Sequence, residues 1–387
     1  MKIALLGAAS SGKTAYFTAL YHRFQNVVGA PIVTATRRAE YRERRVDRHV
    51  GFRLRIEDLE LETVLKKNAR FLTERPITAW PDPTRIIDKT TITVQFDFVP
   101  VDEPLDDSDD EASKPRSYQR SVTMYDPSGD SVDLTHNSAA SIISELQTCD
   151  AAIVFLPATA FSAIPDDAEL DDESLVDTIF WTALRTIMDI VVEITRRFER
   201  ENDCFPICFV VSKFDLIEEN KVARVRDAVN VLLTQISKDN PSFMFGICPI
   251  SVVDPKTGNF RALNLEWPFL FAAVAAIFRN SQELIEDARD DEQHAAAAEA
   301  TAQELEELRR RSIWRRFRRW FSDGFKTSAT HRRVASSYYD SRRRKIELAN
   351  DDATLARDVL AAVEAEGAGR GFSVIINGVD ASRAESA

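Results

Sequence analysis

The sequence has few cysteines, no long apolar run and no excess of positive charge, and each of these limits the class of protein. Four cysteines in 387 residues do not suggest a disulfide framework, and all four lie in or beside apolar runs, as buried thiols do. Cys204 and Cys208 have no second pair of cysteines or histidines that would complete a zinc site.

The apolar runs are too short for a membrane span or a signal peptide. The longest late run, 267–278, is too short to cross a bilayer, and the first, 2–6, opens directly into a glycine loop. We therefore expect a cytoplasmic protein. The net charge of −12 argues against a chain that binds nucleic acid along its length, and we expect no specific nucleic-acid partner.

Apolar strand patterns alternate with helical patterns over the first 280 residues. The predicted strands are 2–6, 90–99, 121–126, 151–158, 205–212 and 245–251, and the predicted helices are 13–25, 138–147, 174–200, 218–237 and 265–279. This alternation predicts an α/β fold with a mostly parallel sheet and helices on both faces. Ligands of such sheets bind beyond the carboxyl ends of the strands.

The stretch GAASSGKT, at 7–14, has the spacing of a phosphate-binding loop between a strand and a helix. Its glycines permit a turn in which backbone N–H groups surround a phosphate chain, and Lys13 would reach the β- and γ-phosphates. The hydroxyl of Thr14 would bind Mg²⁺. The predicted phosphate-binding residues are Gly7, Ala9, Ser10, Ser11, Gly12, Lys13, Thr14 and Ala15. The alternative is an ordinary glycine turn.

Three further polar motifs follow predicted strands. In YDPSGD, at 125–130, Asp126 would hold Mg²⁺ through water and the Gly129 N–H would face a γ-phosphate; the alternative is a simple strand-end turn. In SKFD, at 212–215, the carboxylate of Asp215 would accept hydrogen bonds from N1 and N2 of guanine, which adenine does not offer.

The stem of Lys213 would pack over the base. Ser251 and the N–H of Val252, which follow the last strand, would face O6 of the base. The SKFD and ISVV motifs are both short enough to occur on surfaces without any such role.

The order G-x4-G-K-T, D-x-x-G, S-K-x-D, I-S resembles the Ras-like and translation-factor-related class of P-loop GTPases over about residues 1–280. The resemblance implies a three-layer α/β/α sandwich whose six-stranded sheet has one antiparallel strand, at 90–99. It also implies a bound GTP or GDP with Mg²⁺. Relative to a minimal domain the chain has insertions at about 29–89, 102–118 and 159–175.

Ser212 and Asp130 depart from the family pattern. Ser212 stands where relatives have Asn, and we expect it to loosen the packing of the loops. Asp130 follows Gly129 where many relatives have a water-positioning Gln, so hydrolysis is expected to be slow. Thr84, in AWPDPTRIID, is the candidate for the switch threonine that reaches Mg²⁺, in an element similar to bacterial double-GTPase domains; it can equally be incidental to a proline-stiffened loop.

The remainder, 281–387, is predicted to be a mainly helical C-terminal region. Residues 281–311 have few large apolar side chains, which is typical of a solvated helix or linker. A helix over 309–325 would carry aromatic residues on one face and arginines around the rest, a pattern that suits peripheral membrane contact, partner binding or docking on the chain itself. A final strand is predicted at 372–378, either at a sheet edge or in a small cap.

These patterns predict a GTP-binding molecular switch that hydrolyses GTP slowly, with Lys13, Gly129 and Asp130 as the catalytic candidates and a protein effector or activator as partner. Two alternatives stay open. One is a P-loop ATPase or small-molecule kinase, and the other is a nucleotide-binding scaffold that does not hydrolyse its ligand.

Overall fold

A computed structural model describes the following residues of the chain: 1–7, 11–24, 48–56, 58–73, 76–77, 89–100, 116–126, 144–145, 147–162, 205–239, 243–310, 322–367, 373–376 and 379–380. The chain divides into two compact units, one of residues 1–276 with 357–387 and the other of residues 277–356. The helix predicted over 174–200 lies outside the described residues, as does most of the one predicted over 138–147.

The first unit is built on a central sheet. The strands among the described residues are β1 (Lys2–Leu6), β2 (Arg48–Ile56), β3 (Lys89–Pro100), β4 (Arg116–Tyr125), β5 (Ala151–Pro157), β6 (Phe205–Ser212), β7 (Phe243–Pro249), β8 (Ser251–Val253), β9 (Phe260–Leu263), β10 (Ser373–Ile376) and β11 (Val379–Asp380). Nine of these described strands form one sheet in the order β11-β10-β7-β6-β5-β1-β4-β3-β2, and β8 pairs with β9 in a separate hairpin.

Seven of the nine strands run in one direction. β4, β1, β5, β6 and β7 are parallel neighbours, whereas β3 and β10 run antiparallel to the strands beside them. The predicted α/β class, the mostly parallel sheet and the antiparallel strand at 90–99 are therefore confirmed.

The predicted count of six strands is wrong, because β2, β10 and β11 extend the two edges of the sheet. β2 was not predicted, although Val50, Phe52, Leu54 and Ile56 alternate along it and the last two are buried. β10 falls within the strand predicted at 372–378, and of the two places considered for that strand it takes the sheet edge, beside β7.

The parallel centre of the sheet holds the core. Ile3 to Leu6 of β1 are at most 2% exposed, and every residue of β6 is buried, as expected of strands covered on both faces. This burial explains the unbroken apolar runs of the sequence.

The described helices are α1 (Lys13–Phe24), α2 (Leu59–Ala69), α3 (Val222–Asp239), α4 (Glu266–Arg310) and α5 (Ser322–Gly367). α1 and α3 lie where helices were predicted, and α4 continues far beyond the predicted end at 279. α2 was not predicted, although the sequence contains its N-cap: the Asp58 carboxylate accepts hydrogen bonds from the N–H groups of Glu60 and Leu61.

The second unit is an antiparallel pair formed by parts of α4 and α5. Asn280 contacts Asp352, Asp291 contacts Lys345 and Glu299 contacts Tyr339, so residue numbers rise on one helix as they fall on the other. Small residues at seven-residue spacing are buried on α4, namely Ser281, Ala288, Ala295 and Ala302. The helix predicted within 281–311 is confirmed over 281–310 and most of its described residues are exposed, while this stripe of small residues packs against the second helix.

The helical character of the C-terminal region is confirmed by α4 and α5. Both helices are rich in charged residues, and none of the described helices is apolar over the length needed to cross a membrane.

Candidate functional site

The predicted motifs meet at one edge of the sheet. Gly7 follows β1, Asp126 follows β4, Ser212 ends β6, and Ser251 comes two residues after β7. Because β1, β4, β6 and β7 run parallel within one sheet, their carboxyl ends lie at the same edge.

α1 presents Lys13 at its first residue. The Tyr16 N–H donates to the Gly12 carbonyl at 2.9 Å, which starts the helix. The helix is fixed by its apolar face, where the Tyr16 ring meets Phe155 of β5 edge-on at 5.2 Å between centroids. Thr14 and Ala15 follow within the first turn, as the sequence predicted.

Both glycines of the loop are required by its geometry. Gly12 has a φ of 98°, a backbone conformation that residues with a side chain rarely adopt. At Gly7 a Cβ would lie 2.5 Å from Ser11 Oγ and 3.0 Å from the Cβ of Phe155. The loop therefore packs against its own residues and against β5 in a way that other residue types would disturb.

Lys13 and Asp126 form a buried charged pair. The Lys13 ammonium donates to the Gly7 carbonyl at 2.6 Å, and its Nζ lies 3.8 Å from Oδ1 of Asp126. Lys13 is 8% exposed and Asp126 is 5% exposed. The structure thus brings together two residues that the sequence assigned to phosphate and to Mg²⁺.

Ser212 joins the phosphate loop to the end of β6. Its hydroxyl donates to the Ser11 carbonyl at 2.6 Å, and the Leu156 carbonyl of β5 lies 3.3 Å from the same oxygen. The short side chain thus reaches the loop directly, and the expected loosening relative to Asn stays a prediction. The SKFD motif singled out Ser212, but no local pattern could identify its partner Ser11, which is 201 residues away in the sequence.

Asp215 lies in a single turn of 3₁₀ helix, Phe214–Leu216, directly after β6. Lys213 precedes this turn with a left-handed φ of 56°, and the Phe214 N–H donates to the Ile250 carbonyl at 3.2 Å. Burial raises the pKa of the Asp215 carboxyl above its usual value, while its own backbone N–H and nearby Lys213 act in the opposite direction.

The β8–β9 hairpin was not predicted. It begins with Ser251 and Val252, both buried, and Ser251 pairs with Leu263 of β9. Asn264 closes it with a φ of 58°, and its side-chain amide donates to the Pro249 carbonyl at 2.9 Å. The sequence signal for this hairpin is its turn, DPKTGN at 254–259, in which Gly258 has a left-handed φ of 67° and its N–H donates to the Asp254 carbonyl.

Five predicted site residues lie outside the described residues. They are Ala9, Ser10, Thr84, Gly129 and Asp130. The phosphate-loop residues described are thus Gly7 and those from Ser11 onward, and the catalytic candidate described is Lys13.

The donor set fits Mg²⁺ better than a softer metal. Asp126 and Thr14 supply oxygen atoms, which Mg²⁺ prefers, and Mg²⁺ at nucleotide sites commonly takes one or two protein ligands together with phosphate oxygens and water. Over the ranges the structure describes, no group of three or more His, Cys, Asp or Glu is placed to hold a metal ion.

No protein-family model and no curated protein matches this sequence.

Proposed function

We propose that this protein is a P-loop GTPase of the Ras-like and translation-factor-related class, which binds GTP with Mg²⁺ as a molecular switch and hydrolyses it slowly. The observation that carries the proposal is the meeting of Lys13, Asp126 and the Ser212 tether at the carboxyl edge of the parallel sheet. The order of β3, β4, β1, β5, β6 and β7 supports the same class, since β3 is the antiparallel strand that the resemblance implies.

Phosphate binding is assigned to the loop and to α1. Lys13 and the loop N–H groups would hold the negative charge that develops on the phosphates as water attacks. Thr14 and Asp126 would hold Mg²⁺, directly and through water. When bound there, Mg²⁺ would neutralise negative charge on the phosphates. Thr84, Gly129 and Asp130 complete the proposed site.

Guanine recognition is assigned to Asp215, with Lys213, Ser251 and Val252 around the base. An ionised carboxylate accepts two hydrogen bonds from guanine, and neither donor is present in that arrangement on adenine. The left-handed Lys213 and the bond between Phe214 and Ile250 fix the turn that carries this carboxylate.

The first test is a competition of GTP against ATP, followed by a change of base specificity. Asp215→Ala is expected to weaken GTP binding roughly 100-fold or more, since each hydrogen bond to a charged group contributes about 1.5–3 kcal/mol. Asp215→Asn should instead prefer xanthosine triphosphate, because the amide can donate to the 2-oxo group of xanthine while its oxygen accepts from N1. Misfolding of the variant cannot explain a gain of xanthosine triphosphate binding.

Tighter binding of ATP than of GTP would reject the guanine assignment and favour the P-loop ATPase or small-molecule kinase. If GTP binds, turnover that disappears in Lys13→Ala supports the switch. GTP binding without turnover supports the third function, a nucleotide-binding scaffold.

The partner and the location are also proposals. We assign the protein to the cytoplasm, where a GTP switch would meet its nucleotide and an effector or activator protein. Peripheral membrane contact through 309–325 is the alternative role of that segment, and residues 311–321 lie outside the described residues. Sedimentation with anionic vesicles, compared between the natural chain and Trp320→Glu, distinguishes membrane contact from the other roles.

A further inference from the structure

The β8–β9 hairpin lies between the end of β7 and the start of α4, and its two ends contact different parts of the first unit. Its open end, where the two strands begin and finish, carries the proposed base contacts Ser251 and Val252. Its closed end, the turn 254–259, contacts Pro76 and Ile77. The hairpin therefore links the proposed base contacts to a segment that is distant from them in the sequence.

The turn holds the segment 76–77 by a hydrogen bond and by close packing. The Ile77 N–H donates to the Gly258 carbonyl at 2.9 Å. Gly258 has a φ of 67°, and a Cβ placed on it would lie 2.9 Å from the Cβ of Pro76, which is too close for two carbon atoms. Glycine is thus required here by the turn and also by the segment that packs on it.

Hydrogen bonds within the hairpin fix the shape of the turn. The Asp254 N–H donates to the Asn259 carbonyl at 2.9 Å, and the Gly258 N–H donates to the Asp254 carbonyl at 2.8 Å. The Asp254 carboxylate accepts from the Lys256 N–H at 2.9 Å and from the Arg261 guanidinium at 3.3 Å. The turn is therefore a well-connected element, and its position follows that of the two strands.

The open end is tied to the central sheet. Asn264 is 1% exposed, and its side-chain amide donates to the Pro249 carbonyl at 2.9 Å, while the Cys248 thiol lies 3.6 Å from the Asn264 carbonyl that it faces as donor. The Ile250 carbonyl accepts from the Phe214 N–H, in the turn that follows β6, at 3.2 Å. Because hydrogen bonds connect both ends, a constraint placed on one end reaches the other.

We propose that the hairpin couples recognition of the base to docking of the segment 76–77 on the turn, so that each strengthens the other. This inference rests on the proposed function, because it concerns the base contacts assigned to Ser251 and Val252. Contacts with the base hold the open end, and the hydrogen-bonded hairpin passes this constraint to the turn. The sequence continues from Ile77 to Thr84, so the turn fixes the start of the stretch that leads to the candidate switch threonine.

Gly258→Asn tests the docking contact. Asparagine tolerates a left-handed φ, so the turn keeps its conformation, but the new Cβ meets Pro76. The Ile77 amide should therefore exchange its hydrogen about tenfold faster than in the natural chain, as measured by mass spectrometry with residue-level fragmentation. Unchanged exchange would overturn the docking contact.

Two further variants separate this contact from a general loosening of the turn. Pro76→Gly removes the obstructing Cβ, so Gly258→Asn added to that chain should accelerate exchange of the Ile77 amide much less. Lys256→Asn introduces the same residue at an exposed position of the same turn and should leave the exchange unchanged. An equal acceleration in the Pro76→Gly chain would count against packing between the turn and the segment.

The coupling is measured with GDP and with 2-aminopurine riboside diphosphate, an analogue that lacks O6. GDP should slow exchange of the Ile77 amide about fivefold or more, and Gly258→Asn should weaken GDP binding by a similar factor, because coupling between two sites is reciprocal. The analogue should show much less of either effect, since Ser251 and the Val252 N–H are assigned to O6.

GDP that binds without slowing exchange of the Ile77 amide would overturn the coupling while the proposed function stands. Equal losses of affinity for GDP and for the analogue in Gly258→Asn would also overturn it, because the variant would then weaken the site as a whole. If the natural chain binds no guanine nucleotide, the proposed function fails and the coupling fails with it. Exchange of the Ile77 amide still decides in that case whether the turn holds the segment.

Discussion

Asp215 is the residue at which folding and the proposed chemistry oppose each other. Burial raises the pKa of its carboxyl, so folding disfavours the ionised form relative to the unfolded chain, whereas guanine needs the ionised form. Such a carboxylate lowers the stability of the protein without nucleotide, and the proposed base contact would recover that loss on binding.

Asp215→Asn is therefore expected to stabilise the nucleotide-free protein at neutral pH. The folded pKa is above the unfolded value of about 3.9, so the carboxyl costs nothing below that pH and its cost appears as pH rises through the folded pKa. Thermal melts from pH 3.5 to 8 should show a variant that matches the natural chain in acid and exceeds it near neutrality. A variant that is less stable at pH 7 would contradict this expectation.

The Ser212 hydroxyl holds the phosphate-binding loop through its hydrogen bond to the Ser11 carbonyl. Ser212→Ala would leave the buried Ser11 carbonyl without its donor, which costs about 1–3 kcal/mol. The measurement is the free energy of unfolding in urea. Ser162→Ala is the control, because that hydroxyl makes the same kind of bond to the Thr159 carbonyl in an exposed position and should change stability by less than about 0.5 kcal/mol. Equal effects of the two substitutions would argue against the tether.

At the scale of elements, α4 and α5 pair through small side chains. Ala295 is fully buried in this seam, whereas Ala297, two residues later on the same helix, is exposed. Ala295→Leu is expected to destabilise the helix pair by about 1–3 kcal/mol through overpacking. Ala297→Leu has the same helix propensity change and should be nearly neutral. Unfolding followed by circular dichroism compares the two, and a neutral Ala295→Leu would show that the seam has room.

At the scale of the whole molecule, β10 covers the edge of β7 in the central sheet, and β11 pairs with β10 on its other side. Residues 373–376 pair antiparallel with 244–247 of β7, and they belong to the first compact unit although they are distant from it in sequence. An uncovered strand edge offers free backbone groups to other chains. A chain that ends at Gly367 is therefore expected to aggregate at concentrations where the full chain stays monodisperse.

A chain that ends at Asp380 is the control for this truncation, since it retains both β10 and β11. Light scattering on the three proteins decides between the outcomes. If the shorter chain stays as dispersed as the full one, the edge of β7 does not depend on β10 for protection.

The sequence by itself determined β1, β3, β4, β5, β6 and β7, the helices α1 and α3, and the residue types at the ends of these strands. These are local properties: apolar runs predict buried strands, and the glycine and lysine spacing of 7–14 is confined to eight residues. β2 and α2 were missed although both have local signals: Val50, Phe52, Leu54 and Ile56 alternate with polar residues or glycine, and Asp58 caps a helix that buries Leu61 and Leu65.

Only the tertiary structure decided which of these residues touch. The bond from Ser212 to Ser11, the pair of Lys13 and Asp126 and the place of β10 beside β7 all join positions more than 100 residues apart. Such contacts depend on strand order and on burial, which no local pattern contains. For the same reason, the composition of 281–310 indicates an exposed helix but not the second helix that packs against its alanines.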